Sequence, residues 1–290
     1  MSTTTTRRTT RARRYEVYNW AAELKAAGYS PKSIKVKTKT VTTVAAGVGC
    51  LPWELTPERI KAYLICRPLK PETRAAYMVA IRQYAQWAKI PDPTEGIRRP
   101  RRSRRVPNPI SERDLATLLR HTTGDTRLYV LLGAFLGLRA HEVAQIHAQD
   151  FLDDPDGVLY LRITGKGNTF DILPVPQVVL DELGPRLNAV GYLFPGRVGP
   201  HVTPESVSVR VQRAASKLGI RMRFHMLRHR FGTQIHRSKG DLLITQHAMR
   251  HADPTATAGY AKVADGARNA VVLALPIPKY VFPIDEGQAA

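Results

Sequence analysis

The chain has 290 residues, of which 43% are hydrophobic, and a formal net charge of +20 at pH 7. This length allows two folded domains, and no apolar run approaches the length of a membrane span, so no membrane-spanning helix is expected. Such a large positive charge makes a polyanion the expected partner. The first residues lack the apolar core of a signal peptide, and a cytoplasmic protein is therefore expected.

The only two cysteines, Cys50 and Cys66, belong to neither a CxxC motif nor a Cys/His cluster. This usage favours free thiols over a metal site or a disulfide framework. We predict that both cysteines pack within helices, and we predict no metal and no other cofactor.

The positive charge is concentrated in the first third of the chain. Residues 1–97 carry a net charge of +10, residues 98–105 add six arginines, and residues 106–290 carry a net charge of +4. We infer a division of labour, in which the first part grips backbone phosphate and the second carries out the chemistry.

Residues 1–14 form a basic tail that we expect to be disordered in isolation, either merely solvated or used as a flexible arm on a polyanion. A helical domain is predicted over residues 15–97. Ser30 and Thr56 are each followed by proline, which is typical of helix starts, and Gly28 is typical of a helix stop. The predicted helices are 15–27, 31–47, 57–66 and 71–89.

Lysines alternate with Thr and Val in the second of these helices, giving a wide cationic face that suits contact with a nucleic-acid groove. In the fourth helix, large apolar residues recur at helical spacing, which favours core over base-stacking platforms. The lysines are Lys32, Lys35, Lys37 and Lys39, and the predicted core residues are Tyr77, Ile81, Tyr84 and Trp87.

Residues 98–107 are predicted to be an interdomain linker, because prolines and repeated like charges argue against a packed element. Six arginines this close repel one another unless counter-charge is near, so we place the linker along DNA rather than free in solvent. These arginines are Arg98, Arg99, Arg101, Arg102, Arg104 and Arg105.

A second, mostly helical domain is predicted over residues 108–275, followed by a tail at 276–290. Ser111, with Asp114 three residues later, is typical of a helix start. An apolar helix is expected next, at 128–135. Further helices are predicted at 176–183, 204–218, 225–237, 241–249, 254–262 and 265–275.

Two short strands, 158–163 and 170–174, flank a Gly-Lys-Gly-Asn turn and predict a β-hairpin within this domain. The predicted fold class is therefore mainly α (α+β), two helical domains with one small hairpin or sheet in the second.

The candidate chemistry is concentrated between His225 and Tyr260. On a helix, His225 and Arg228 lie three residues apart on one face, so an imidazole and a guanidinium would be side by side. Each residue alone is more often a surface pair, a helix cap or a packing residue. Together with His229 and His251, they suit a phosphodiester attacked by a phenol oxygen, since phosphoryl transfer depends on positioning and charge neutralisation.

The order of these residues resembles the signature of the tyrosine recombinases, the phage integrase family. That family also has an arginine in a Gly-Leu-Arg-x-x-Glu context and a lysine in a hairpin turn. This chain has Arg139 and Glu142 in GLRAHE, and Lys166 in TGKGN. The resemblance covers roughly residues 15–275, and it implies a small core-binding (SAM-like) domain followed by a catalytic domain.

The resemblance implies a site-specific recombinase that cleaves and rejoins duplex DNA through a 3′-phosphotyrosine. The tyrosine would attack the phosphate, the two arginines would bind its non-bridging oxygens, the lysine would protonate the departing 5′ oxygen, and the histidines would hydrogen-bond the phosphate. Glu142 would orient one arginine from behind. The implied catalytic residues are Arg139, Lys166, His225, Arg228, His251 and Tyr260.

The resemblance also implies partners. These are double-stranded core-type DNA sites, three further copies of the chain in a tetramer on two synapsed sites, and in some members a host DNA-bending protein and a directionality factor. Fourteen residues are too few for an arm-binding domain, so the chain resembles a minimal integrase that integrates and excises phage or mobile-element DNA at the nucleoid of a bacterial host. No membrane partner is expected.

Two positions depart from the family pattern. Arg250 stands where a glycine is usual, and an arginine there could add a phosphate contact; Arg230 stands where a small hydroxylated residue is common. The alternatives are a chromosome-dimer-resolving or transposon recombinase, a type IB topoisomerase with the same chemistry, and a non-catalytic DNA-binding architectural protein.

Overall fold

The computed structural model describes residues 17–98, 100, 108–154, 157–164, 170–239, 242–250 and 272–276. The chain divides into two compact units, Met1–Arg105 and Val106–Ala290. The division falls within the stretch that the sequence predicts as a linker. Among the helices in the described ranges, none is long and apolar enough to span a bilayer.

The first unit is helical, and its helices begin where local signals predict. The Ser30 hydroxyl accepts the backbone N–H of Ser33 at 3.3 Å, and the Thr56 hydroxyl accepts that of Arg59 at 3.4 Å, with proline at the first helical position in both cases. Gly28, at φ +77°, ends the first helix as predicted. The helices are α1 (17–26), α2 (Pro31–Gly47), α3 (Pro57–Cys66) and α4 (Pro71–Ala88).

The core of this unit forms between α1, α2, α3 and α4. Trp20 and Tyr84 are buried and meet edge to face, with ring centroids 5.3 Å apart. Ile81 is buried as predicted, whereas Tyr77 and Trp87 are half-buried and pack against the edge of the core. The predicted core role of the fourth helix is therefore confirmed.

The prediction for the cysteines is half right. Cys50 is buried, but Cys66 is exposed. Cys66 is the last residue of α3, and its neighbour Ile65 is 83% exposed, so this end of the helix faces solvent rather than the core.

Three of the four α2 lysines share one outward face. Lys32, Lys35 and Lys39 are exposed at helical spacing, and we call them the exposed lysine face. Lys37 instead donates to the Gln83 side chain of α4, and its ammonium lies 5.2 Å from the centre of the Tyr29 ring. The cationic face is thus narrower than predicted, because a period of 3.6 residues turns Lys37 towards the neighbouring helix.

The second unit is mostly helical with a small sheet. Its elements are α5 (Glu112–Arg120), α6 (Gly124–Phe135), α7 (Ala140–Ala144), β1 (Phe151–Asp153), β2 (Leu159–Thr164), β3 (Phe170–Pro174), α8 (Gln177–Leu183), α9 (Pro204–Lys217), α10 (His225–Lys239) and α11 (Leu242–Ala248). The predicted start of α5 is confirmed, since the Ser111 hydroxyl accepts the N–H of Asp114 at 3.0 Å. Of the predicted helix 265–275, the described part is helical only at 272–273, and the predicted helix 254–262 lies outside the described residues.

Helix α6 begins four residues before the predicted residue Leu128. Gly124 and Asp125 resemble part of a turn in sequence, but they form the first turn of the helix, with Thr123 as the N-cap residue, and tertiary contacts support them there. Asp125 accepts from Arg186 at 2.6 Å, and Arg127 donates to Glu182 of α8 at 2.7 Å. Long-range ion pairs therefore outweigh the local turn signal.

The sheet has three antiparallel strands in the order β1-β2-β3. The predicted hairpin is confirmed as β2 and β3, with Leu161 opposite Leu173, and both of these side chains enter the core. The sequence does not predict β1, which pairs Phe151 with Leu161. The connection at 165–169, which carries Lys166, lies outside the described residues.

Helix α6 is the centre of the second unit. Its residues from Leu128 to Phe135 are fully buried, and α10 packs directly against it. Immediately after α6 the chain turns at Gly137, where φ is +61° and an added Cβ would lie 2.4 Å from the Phe231 ring of α10. Only glycine fits this turn without strain. The turn places the next residues of the chain beside the first turns of α10.

Candidate active site

The turn after α6 presents Arg139 at the start of α7. The backbone N–H of Arg139 donates to Glu142 Oε2 at 2.7 Å, and its Nη1 donates to Oε1 at 2.8 Å. Glu142 has a side chain only 2% exposed, whereas that of Arg139 is 34% exposed. The carboxylate therefore holds a guanidinium that a ligand can reach.

Arg228 enters the same region from α10. Its side chain is buried, and its two Nη atoms donate to the backbone carbonyls of Gly137 and Met249. These bonds fix the plane of a group that has five N–H donors. Burial, followed by the charges of Arg250 and Arg139, lowers the pKa of Arg228 to about 9, so it remains protonated at neutral pH.

A third guanidinium, that of Arg250, follows α11. Its Nη2 lies 2.8 Å from Glu142 Oε2, and its side chain is 8% exposed. Burial alone would raise the pKa of Glu142, but the charge of Arg250 and the N–H and charge of Arg139 outweigh it, so this pKa lies below its ordinary value. We call Arg139, Glu142, Arg228 and Arg250 the arginine–glutamate cluster. Three guanidiniums against one carboxylate give it a net charge of +2.

The two histidines at the start of α10 lie beside this cluster. The ring of His225 meets that of His229 edge to face, with centroids 4.5 Å apart. His225 is exposed and His229 is half-buried. Burial and the charge of Arg228 lower the pKa of His229, which favours the neutral imidazole at pH 7. The predicted side-by-side arrangement of His225 and Arg228 is therefore an exposed imidazole and a half-buried one next to a buried guanidinium.

Half of the predicted catalytic set lies in the described residues. The structure brings Arg139 and Arg228 together, with Glu142 between the positive groups and His225 on the adjoining turn. Lys166, His251 and Tyr260 lie outside the described residues.

The predicted DNA-contact residues divide in the same way. The exposed lysine face and Arg98 are at the surface of the first unit. The linker residues Arg99, Arg101, Arg102, Arg104 and Arg105 lie outside the described residues, as does the basic tail at 1–14.

The amino-acid pattern and this arginine-rich site agree with the comparison to known families. The model of the phage integrase family matches residues 110–266. The chain belongs to the phage integrase family.

Curated members of this family match part of the chain. A tyrosine recombinase of Pseudothermotoga lettingae is 29% identical over 63% of the chain and 66% of its own length. The tyrosine recombinase XerC of Pseudomonas aeruginosa is 32% identical over 58% of the chain and 59% of its own length. The chain thus spans less than two thirds of either relative.

Solved integrase structures match more of the chain. The integrase from mycobacterium phage Brujita is 31% identical, with a TM-score of 0.53, over 90% of this chain and 92% of that one. A lambda integrase (75–356) dimer bound to a COC′ core site is 16% identical, with a TM-score of 0.65, over 83% of this chain and 95% of that one. The second likeness shows a shared fold, mostly helical with a small sheet.

The place of Arg250 in the site was not predicted. The sequence marks it as a departure from the family's glycine, and suggests a phosphate contact. In the structure, its guanidinium is turned inward onto Glu142, 108 residues earlier in the chain.

Arg230, the other departure, has a structural position. It donates to both Glu112 carboxylate oxygens at 2.9 and 3.0 Å and to the carbonyl of Pro276 at 2.6 Å, while Gln234 donates to Glu112 at 2.7 Å. Val272 is also buried against the core. Arg230 therefore joins the start of α5 to the segment at 272–276, away from the arginine–glutamate cluster.

Proposed function

We propose that this chain is a site-specific tyrosine recombinase that cleaves and rejoins duplex DNA through a 3′-phosphotyrosine on Tyr260. The observation that carries the proposal is the arginine–glutamate cluster, in which two buried guanidiniums and the accessible one of Arg139 gather a net charge of +2 at one point. A phosphodiester under attack develops a second negative charge, so such a preorganised positive site stabilises its transition state.

In the proposed reaction, the Tyr260 oxygen forms a bond to phosphorus as the bond from phosphorus to the 5′ oxygen breaks. A phenol has an ordinary pKa of about 10, so its proton needs an acceptor at neutral pH, a role we assign to His225. Lys166 protonates the departing 5′ oxygen, and His251 hydrogen-bonds the phosphate. A 5′ hydroxyl of the partner strand then attacks the phosphotyrosine in the reverse reaction, which conserves the energy of the ester bond without ATP.

Arg139 and Arg228 bind the non-bridging oxygens in this scheme. The exposure of Arg139 suits direct contact with the phosphate, and the two carbonyl bonds of Arg228 fix the plane of its guanidinium. Removing one such donor costs about a hundredfold or more in rate.

We further propose that the DNA is that of a phage or mobile element and that four copies act on two synapsed core-type sites. The likeness to the Brujita phage integrase, 31% identical over 90% of this chain, supports the first part. A lambda integrase tetramer bound to a Holliday junction has the same fold, which is compatible with the second. The net charge of +20 on the present chain and its exposed lysine face suit a DNA partner.

The test is covalent capture from a pool of nicked DNA fragments of the genome that encodes the chain. After denaturation in detergent, protein-linked DNA is recovered and sequenced, and the linked peptide is identified by mass. We expect one sequence to be enriched by the wild-type protein, a DNA-linked peptide containing Tyr260, and no product from Tyr260→Phe. Protein-linked DNA from Tyr260→Phe at the wild-type level would contradict the proposal.

Two other functions give different results. A type IB topoisomerase would relax a plasmid that lacks the captured sequence. A non-catalytic architectural protein would bind DNA without forming any covalent product. We expect neither outcome.

A further inference from the structure

Arg250 occupies a backbone conformation that favours glycine. Its φ is +49°, two residues beyond the end of α11. The left-handed conformation is unfavourable for a residue with a Cβ, because the Cβ comes too close to the following carbonyl oxygen. Such strain persists where the surrounding structure compensates for it, and it is concentrated at functional sites.

The side chain of Arg250 supplies the compensation. Its Nη2 contacts Glu142 at 2.8 Å, and its Nη1 donates to the carbonyl of Leu136 at 3.4 Å. With 8% of the side chain exposed, the guanidinium is enclosed by the turn that follows α6. It therefore ties the end of α11 to the turn that presents Arg139.

Glu142 is the shared partner of two guanidiniums. Its Oε2 accepts both the backbone N–H of Arg139 and Nη2 of Arg250, while its Oε1 accepts Nη1 of Arg139. A buried carboxylate is costly unless it is well paired. Of the two arginines, Arg139 is the accessible one and Arg250 lies behind it.

We propose that Arg250 is a positioning residue for the phosphate site: it holds Glu142, and through Glu142 the guanidinium of Arg139, and it fixes the point where the chain leaves α11 towards His251. This inference rests on the function proposed above for Arg139 and Tyr260. A glycine here would relieve the backbone but could not carry the charge.

The experiment uses the full chain and a nicked substrate that carries the captured sequence. Single-turnover formation of the covalent product is measured at saturating DNA, and DNA affinity is measured separately as a function of salt. The variants are Arg250→Gly, which suits the backbone, Arg250→Lys, which keeps the charge, Glu142→Gln, and the double variant Arg250→Gly with Glu142→Gln. If the glycine variant fails to fold, Arg250→Met takes its place in both backgrounds.

We expect Arg250→Gly to slow covalent capture by about 10- to 100-fold, the scale of a misplaced catalytic group, with less than about a twofold change in DNA affinity. Arg250→Lys should recover part of this rate. The double variant should be no slower than Glu142→Gln alone, because Arg250 acts through that carboxylate.

Three results would overturn the inference. The first is a capture rate of Arg250→Gly equal to that of the wild type. The second is an Arg250→Gly variant with weaker DNA affinity, a slope of log K against log salt reduced by about one, as for a direct phosphate contact, and an unchanged capture rate. The third is a double variant in which the rate losses of the two single variants multiply. If the wild-type protein captures no DNA through Tyr260, the proposed function itself fails and this inference fails with it.

Arg127 provides the matched control. It is a buried arginine paired with Glu182 at 2.7 Å near the opposite end of α6. Arg127→Met removes a comparable ion pair and should lower the thermal unfolding temperature while leaving the capture rate unchanged. Slowing equal to that of Arg250→Gly would mean that any loss of a buried pair disturbs the site, and would overturn the assigned role.

Discussion

Replacing Gly137 with alanine should destabilise the second unit through a specific steric clash. The turn requires φ +61°, and the new Cβ would lie 2.4 Å from the buried ring of Phe231. Left-handed backbone costs about 1–2 kcal/mol, and overpacking a filled core adds about 1–3 kcal/mol. The steric clash is therefore expected to destabilise the unit by at least as much as the backbone strain does.

Gly219→Ala is the matched control. Gly219 lies in the same unit at φ +72°, but an added Cβ would meet no atom within 4 Å among the residues that the structure describes. The backbone cost is common to both variants, so their free energies of unfolding should differ by the clash alone, about 1–3 kcal/mol. Phe231→Leu in the Gly137→Ala background should recover part of that difference.

Urea unfolding followed by two probes can assign the effect to one unit. All three tryptophans, Trp20, Trp53 and Trp87, lie in the first unit, so their fluorescence reports its unfolding, whereas circular dichroism reports both units. We expect Gly137→Ala to shift the circular dichroism transition and leave the fluorescence transition in place. Equal destabilisation by Gly137→Ala and Gly219→Ala would refute the steric reasoning.

Two further perturbations test the DNA-contact surface and the link between α5 and α10. Alanine at all three positions of the exposed lysine face should reduce the slope of log K against log salt for DNA binding by roughly 2.7, at about 0.9 per phosphate; Lys37→Ala should leave this slope unchanged, and equal slopes for both variants would contradict the assignment. Glu112→Gln should destabilise the protein by about 1 kcal/mol at pH 7, because it weakens the pairing of buried Arg230, while solvent screens the 42% exposed Glu112 side chain. Burial tends to raise the pKa of Glu112, but hydrogen bonding and the charge of Arg230 hold it below its ordinary value, so the unfolded chain takes up this proton first. The contribution of Glu112 to the free energy of unfolding is therefore complete above about pH 4.3 and is lost as pH falls through the lower pKa of the folded state. The free energy of unfolding, measured with a chemical denaturant from pH 6 to pH 3, should fall less steeply with acid in Glu112→Gln than in the wild type. An equal fall in both proteins would contradict the pairing.

Features encoded by neighbouring residues could be predicted from the sequence. The starts of α2, α3 and α5 each depend on a hydroxyl that accepts a backbone N–H three residues later. The helix starts could therefore be predicted from Ser30, Thr56 and Ser111. The β2–β3 hairpin likewise has its whole signal within one short stretch. Strand β1 has three residues and exists only through its pairing with β2, so its own sequence contains too little to predict it.

The site was predicted as a set of residues but not as an arrangement. The order of the family's motif residues along the chain indicates Arg139, Glu142 and Arg228. It does not show that Arg228 is buried, or that Glu142 contacts Arg250 as well as Arg139. Those facts depend on contacts between residues 91 and 108 positions apart. Contacts at such separations are set by how α6, α10 and α11 pack, which no local pattern encodes.

Described residues on both sides of the stretch at 251–271 are bound within the second unit: Arg250 contacts Glu142, and the carbonyl of Pro276 accepts from Arg230. Tyr260 lies ten residues from Arg250 and sixteen from Pro276. The entropy cost of bringing the two ends of this span together is therefore part of the folding of the second unit. Since doubling the separation along the chain between two joined ends costs only about 0.6 kcal/mol, an insertion between residues 250 and 276 should change the stability of the second unit little.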